Sequence, residues 1–433
     1  MIINVIIKKI KQLYKRGAFH IIFGTFATKF VAFFGSIFVV RLLSKEDYGL
    51  VGYVENIYSY AFVIAGLGLA NAVLRYVVIA PMNRKKSYFN YIAKHSMVRN
   101  CVISAIIIVI NFFVVYPEGF KEAKYLLPIL ALLLPFQDLV NDELYSLRAL
   151  FKNRQYAVIS FIVSASLILG RVTGAIIDGS RGVIVSRVII NSLFGIFLLL
   201  YVSRLFFSVE KDNLQRAEIR EINTYSFQYM ITNGLWMIFS LNDVFILGLF
   251  CSNPGVVADY KVAYVIPGNI SIIANAIAVF VSPYFTKNEN NLFWIRKNFK
   301  KVYLINALIL AVVTVALFLF AEPLVVFLYG EGYKNVVGLM RTLLIAAYCN
   351  AGLRYITANV LAAMGKIKYN MLISFGGMVA QIVLDIFFVQ RYQAMGIATA
   401  SCMVYFFMAL VLLIIFLKEY FRCFSKYRNF WRN

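Results

Sequence analysis

About twelve apolar stretches separated by short polar gaps, with cationic residues sorted into every second gap, leave this chain very few ways to fold. The stretches lie near residues 18–43, 51–80, 96–116, 124–147, 156–178, 183–203, 224–250, 258–285, 302–320, 336–363, 369–389 and 393–417. Most reach the roughly 20 apolar residues that a helix needs to cross the hydrocarbon core of a bilayer. Of the 43 Lys and Arg, 28 fall in the N-terminus, the C-terminus and the even-numbered gaps; nine lie in or beside the odd-numbered gaps and six inside or at the ends of the apolar stretches. Cationic loops are retained on the cytoplasmic side, so this alternation predicts an all-α integral membrane protein with both termini cytoplasmic.

Charge and composition exclude several functions. A net charge of +23 would point to nucleic acid in a soluble protein, but 61% of these residues are hydrophobic and only 15% charged. The excess is spread over cytoplasmic segments such as Lys8, Lys9, Lys11, Lys15 and Arg16, or Lys297, Lys300 and Lys301. Its predicted partner is therefore the anionic inner leaflet, and not nucleic acid. The opening MIINVIIKKIKQLYKRGAF has no small-residue cleavage site and reads as a basic amphipathic interfacial helix. Cys101, Cys251, Cys349, Cys402 and Cys423 include no pair at metal-ligand spacing, so neither disulfide nor metal is expected. His20 and His95 stand near span ends without a Ser or Cys nucleophile and an orienting carboxylate. The longest loops, around 81–95, 204–223 and 286–301, are short and basic. With no extramembrane domain to carry chemistry, the expectation is a transporter that uses no cofactor, not an enzyme.

The most polar stretch, Val209 to Asn223, divides the chain into six spans and six. The expected organisation is an N-terminal lobe over 1–208 that includes the basic amphipathic N-terminus, a cytoplasmic linker over 209–223, a C-terminal lobe over 224–420 and a basic cytoplasmic tail over 421–433. IFVVRLLSKEDYGLVGYVENI from Ile37 and FILGLFCSNPGVVADYKVAYVI from Phe245 each join two spans through a short outer loop, about 209 residues apart. Both halves enter the membrane from the same side, so the repeats are parallel, related by an axis along the membrane normal.

At RLLSKEDYGL (Arg41 to Leu50), GLGLANAVLRY (Gly66 to Tyr76), AEPLVVFLYGEGYKNVVGLMRTLLIA (Ala321 to Ala346), LAAMGKIKYN (Leu361 to Asn370) and MGIATASCMVYF (Met395 to Phe406) the chain resembles a known family. These segments look like the polysaccharide-biosynthesis flippases of the multidrug/oligosaccharidyl-lipid/polysaccharide exporter superfamily. The resemblance covers essentially the whole chain, although LDIFFVQRYQAMG (Leu384 to Gly396) replaces the usual asparagine- and proline-bearing end of the eleventh span. It implies a MATE-like fold, with two six-helix halves about a pseudo-two-fold axis around a central cavity. It implies a bacterial plasma-membrane protein that moves undecaprenyl-diphosphate-linked oligosaccharide, the repeat unit of O-antigen, capsule or exopolysaccharide, to the outer leaflet. Polysaccharide polymerase and chain-length proteins are the partners such a role implies.

A diphosphate needs cations at depth. Lys29 lies about eleven residues into the first span and Arg354 about nine residues, roughly 14 Å, from the end of the tenth. Arg75, four residues after Asn71 on one helical face, is nearer the cytoplasmic end of its span; Arg171 and Arg341 are nearer the outer ends, where they can snorkel. These five are the candidate substrate-binding cations, and pairing with an intramembrane acid is the structural alternative for each, as for Lys29 with Asp243. Glu55, Asp243 and Asp385 lie in the outer thirds of their spans. They are candidates either for H⁺ or Na⁺ coupling or for an outer gate closed by ion pairs with residues such as Arg41 or Lys45. Asp138, Asn141 and Asp142 share a helical face, and Asp142 and Glu143 are expected at the interface with Arg148. Gly66 and Gly68 are read as close-packing residues, Pro128, Pro135 and Pro267 as bend points, and Tyr53, Tyr58, Tyr60 and Trp236 as possible sugar-stacking rings. A multidrug exporter would favour acids at depth, whereas the deepest charges here are positive; a scaffold without transport is the third class.

Overall fold

The computed structural model describes residues 18–205 and 214–430, so the basic amphipathic N-terminus and the start of the linker lie outside the described residues. The helices are α1 (Ala18–Leu42), α2 (Lys45–Val63), α3 (Leu69–Ala72), α4 (Met82–Phe113), α5 (Ala123–Ala131), α6 (Leu133–Ala149) and α7 (Asn153–Leu205). They continue as α8 (Arg216–Phe250), α9 (Pro254–Asn269), α10 (Ser271–Lys287), α11 (Leu292–Leu319), α12 (Ala321–Tyr329), α13 (Val337–Ala347), α14 (Tyr355–Ala363) and α15 (Ile367–Phe430). Eight helical segments among the described residues are long and apolar enough to cross a membrane. Two of these are double. Within α7 the backbone leaves the helix at Asp178 and Gly179, and within α15 at Gln393, close to the gaps that hydropathy places at 179–182 and 390–392. With α1 and α8 this makes about twelve spans.

The chain forms two compact units. One runs through Leu241 and takes in Ser252–Gly255; the other comprises Asn242–Cys251 and the chain from Val256 onward. In the first, Leu69, Val73, Tyr76, Phe89, Ile92, Leu147 and Ile222 build a buried core, and in the second Phe285, Ile295, Phe299, Ile356, Leu412 and Phe416 do the same. Other apolar faces point outward. On α11, Leu304, Leu308, Val312, Val315 and Leu319 are all more than half exposed and recur every three or four residues. A stripe of that kind is stable only against hydrocarbon.

Local sequence explains the helix ends. Ser44 caps α2, its hydroxyl accepting the Asp47 N–H at 3.0 Å, and Glu46 and Asp47 sit in the first turn, where the helix dipole favours anions. Pro128 and Pro135 carry no N–H for the carbonyls four residues back. Those two carbonyls, of Lys124 and Ala131, instead accept from Asn111 Nδ2 at 2.9 Å and Ser104 Oγ at 2.8 Å on α4. The proline bends are therefore tied to polar residues on a neighbouring helix. In α7, Gly174 and Gly182 face each other backbone to backbone, and a Cβ on either would strike the other's main chain. That closes the hairpin around Gly179.

Gly66 and Gly68 do more than allow close packing. Together with Leu67 they adopt φ of 52°, 79° and 53°, breaking the span between α2 and α3. Left-handed backbone costs little at glycine but not at a branched residue, so two glycines flanking one strained leucine make the break tolerable. A Cβ at Gly68 would also strike the Ser226 carbonyl of α8.

Candidate functional site

In the first unit a carboxylate on α2 holds two cations from α7. Arg171 Nη2 and Arg187 Nη1 reach Glu55 Oε1 at 3.0 and 3.1 Å, all three side chains being about four-fifths buried. Arg187 also donates to Gln137 Oε1 at 3.1 Å, and Tyr58 donates to the same oxygen at 3.1 Å while its ring lies 5.5 Å beneath the guanidinium. One acid shared by two arginines leaves a surplus of positive charge at this cluster. Arg187 was not among the expected site residues. The cation count assigns it to an outer gap, yet it sits four residues inside the sixth apolar stretch, the one signal of its depth.

A second polar centre forms where the span breaks at Gly66. The Gly66 N–H, freed by the break, donates to Asn100 Oδ1 at 2.6 Å; Asn100 Nδ2 and Ser96 Oγ in turn donate to Asp138 Oδ2 at 2.6 and 2.5 Å. Every link is buried, as an orphaned backbone group in hydrocarbon demands. Beside it lies a cavity of about 300 Å³ lined by Asp138, Asn71, Asn141, Tyr145, Tyr229 and Phe62, among others. Asp142 and Glu143 are not at an interface with Arg148. They are 1% and 0% exposed and their carboxylates accept no hydrogen bond among the described residues, while Arg148 lies over the Tyr156 ring at 5.4 Å. The turn of α6 that carries them faces the core, next to Asp138, which the Ser96 and Asn100 hydrogen bonds tie to α4.

Arg75, four residues after the cavity-lining Asn71, lies in a π-helical turn, Val73–Val77, exposed, with its guanidinium 5.0 Å from the Tyr225 ring centre. Farther along, Arg84 grips Glu218 in two bonds of 2.6 and 2.9 Å, and Tyr88 and the Gln215 N–H each add a bond of 2.8 Å. Burial pushes the Glu218 carboxyl up, but the Gln215, Tyr88 and Arg84 donors outweigh it and hold the group below the usual carboxylate value.

In the second unit Asp243 accepts from the Tyr260 hydroxyl. Asp385, fully buried, accepts from Asn242 at 3.0 Å and Gln381 at 2.8 Å, and Gln381 reaches Ser401 at 3.0 Å. Arg354 is 6% exposed, closes a π-helical segment, Tyr348–Arg354, and donates from Nε to Asn350 Oδ1 at 2.8 Å. Carbonyls of that segment, at Ala351 and Gly352, are taken by Asn306 at 3.0 and 2.9 Å.

The expected residues thus divide. Glu55 and Arg171 meet; Arg75 stands apart from them; Lys29 is exposed on α1 and forms no ion pair among the described residues. Arg341 is half-buried, donating to the Phe318 carbonyl at 3.2 Å with its guanidinium over that ring. Tyr53 and Tyr58 are only 2% exposed and belong to the protein interior, where Tyr53 packs on Phe120.

A family model described as polysaccharide biosynthesis protein matches residues 14–289, well over half of the chain. No curated protein matches it. Among solved structures it is similar to a lipid II flippase MurJ in an inward closed conformation, with TM-score 0.71 at 15% identity, covering 93% of this chain and 89% of that one. A multidrug resistance MATE family transporter of the MOP superfamily, inward-facing, aligns with TM-score 0.64 at 15% identity over 91% of this chain and 94% of its own. A MOP superfamily transporter from Pyrococcus furiosus, described as having a binding pocket of reverse polarity, aligns with TM-score 0.56 at 15% identity over 94% of both chains. At such identities these likenesses establish the fold.

Proposed function

The chain belongs to the polysaccharide biosynthesis protein family, and from that premise we propose that it is a flippase carrying undecaprenyl-diphosphate-linked oligosaccharide from the cytoplasmic to the outer leaflet by alternating access. It is a multi-pass membrane protein with the fold shared by the MurJ and MATE transporters. The observation that carries the reading is the pairing of Arg171 and Arg187 with a single carboxylate, Glu55. Cations in membrane-spanning helices are expensive unless something offsets them, and two on one acid leave a positive field suited to an anion. Arg354, Arg75, Lys29 and Arg341 extend the set of cationic candidates for the diphosphate headgroup.

Asp243 and Asp385 are the groups through which we propose that an H⁺ or Na⁺ gradient drives the cycle, with Tyr260, Asn242 and Gln381 orienting them. The cation pattern supports a plasma-membrane orientation with both termini cytoplasmic. Proteoliposomes loaded with a fluorescent short-chain polyprenyl-diphosphate oligosaccharide test the function. The protein should expose label from the inner leaflet to an external quencher in minutes, faster with an ion gradient than without. No acceleration over empty liposomes, or uptake of a lipophilic cation in its place, would overturn the reading.

A further inference from the structure

The cavity in the first unit offers polar groups that nothing in the unit uses. Among the described residues neither the Asn71 nor the Asn141 carboxamide makes a hydrogen bond, although both line the cavity. Asp138 is 3% exposed and commits Oδ2 to Ser96 and Asn100, leaving Oδ1 without a partner. Asn71 and Asn141 are partly buried, so their carboxamides and Asp138 Oδ1 present open hydrogen-bonding groups to whatever occupies the cavity. The lining also includes the aromatic residues Phe62, Tyr145 and Tyr229.

Size and charge narrow the ligand. About 300 Å³ is at the small end of ligand sites, enough for one or two sugar rings and too little for a whole oligosaccharide or a polyprenyl chain. An apolar occupant would leave two carboxamides and a carboxylate oxygen desolvated and unpaired. An organic cation would suit Asp138 but would have to lie near Arg75, about one helical turn from Asn71. The Arg75 guanidinium rests 5.0 Å from the Tyr225 ring, whose centre is 6.4 Å from that of Tyr229 in the cavity wall. Arg75 makes no ion pair among the described residues. Arg75 is outside the lining but is joined to its wall through Tyr225 and Tyr229, so a hydroxyl-bearing ring in the cavity with an anion beyond that wall has the layout of a sugar diphosphate.

We propose that this cavity binds the first sugar of the lipid-linked glycan, its hydroxyls held by Asn71, Asn141 and Asp138 and its diphosphate by Arg75. The inference rests on the flippase reading and adds to it a place where the glycan's identity is sensed. The test is isothermal titration of the full chain in nanodiscs. The probes are citronellyl diphosphate, the same lipid carrying glucose, galactose or N-acetylglucosamine, and tetraphenylphosphonium. At least one glycosylated form should bind about tenfold more tightly than the bare diphosphate, as one or two net hydrogen bonds would give. Asn71→Leu and Asn141→Leu should each remove most of that advantage, with affinity for the bare form held within about twofold. Ala70→Phe, which fills the cavity without removing a polar group, should do the same, and Arg75→Ala should weaken both forms. Equal affinity for bare and glycosylated lipid, or equal loss of both in the Asn variants, overturns the sugar site and leaves the flippase reading standing. Tetraphenylphosphonium binding that Asn141→Leu abolishes makes it a cation site instead. Failure of the wild type to bind any diphosphate sinks the flippase reading, and the sugar site with it.

Discussion

Replacing Glu55 by Gln should destabilise the first unit more than removing either arginine it holds. In the native arrangement Arg171 and Arg187 stand 3.0 and 3.1 Å from Glu55 Oε1, with side-chain exposures of 23%, 21% and 15% for the two arginines and the glutamate. Removing one partner of a buried pair costs about 3–5 kcal/mol because the other charge is left desolvated. Glu55→Gln leaves two such charges, now repelling each other. The residual exposure discounts each, so a total of about 3 kcal/mol is reasonable, a factor above 100 in the unfolding constant. Arg187→Gln, by contrast, leaves a one-to-one pair of Arg171 with Glu55 and should cost about 1 kcal/mol, mostly through the Gln137 and Tyr58 contacts. Reversible unfolding in mixed micelles, followed by circular dichroism against the mole fraction of dodecyl sulfate, measures both variants and the Glu55→Gln/Arg187→Gln double mutant. The double mutant should recover part of the loss of Glu55→Gln alone, since it carries one fewer uncompensated cation. If Arg187→Gln costs as much as Glu55→Gln, or the double mutant is simply additive, the one-acid, two-cation account is wrong.

The Glu218 clasp should show in the pH dependence of stability. A carboxyl held below its usual 4.5 in the folded chain stabilises above that value and loses its contribution as pH falls through the lower folded one, so Glu218→Gln should flatten the acid limb of an unfolding titration; an unchanged limb counts against the clasp. Reporter fusions at Asn433 and Gln215 should both read cytoplasmic, and an outer signal at either breaks the six-plus-six topology. Asp243→Asn should insert and fold yet lose gradient-driven flipping; a normal rate that still responds to collapse of the gradient would remove Asp243 from coupling. Lys29→Ala and Arg354→Ala should each lower surface polysaccharide in cells, and Lys29→Arg should restore part of it if charge is what the headgroup needs. Full complementation by both Ala variants takes them off the substrate path.

The number of spans and their ends were legible because hydrocarbon imposes a one-dimensional rule: enough apolar residues, then charge. Even the breaks at Gly179 and Gln393, inside helices otherwise continuous in backbone, fall beside hydropathy gaps. What the helices do to one another was not legible. Pro128 and Pro135 announce bends, but nothing local says that Asn111 and Ser104 on α4 will take the carbonyls those prolines abandon. Gly66 and Gly68 look like packing residues because small side chains serve packing and backbone reversal alike. The deciding fact is the Asn100 and Asp138 network that receives the freed Gly66 N–H, 34 residues and more away in sequence. The same blindness explains the acids. Asp142 and Glu143 sit near the end of an apolar stretch, where solvent exposure is the natural reading, and only the packing of neighbouring helices against α6 buries them. Depth along the membrane normal can be counted from a sequence, whereas azimuth around a helix depends on partners. Glu55 shows the difference most directly: its depth can be counted, but the two arginines that pair with it, more than 100 residues distant, cannot be picked out by counting.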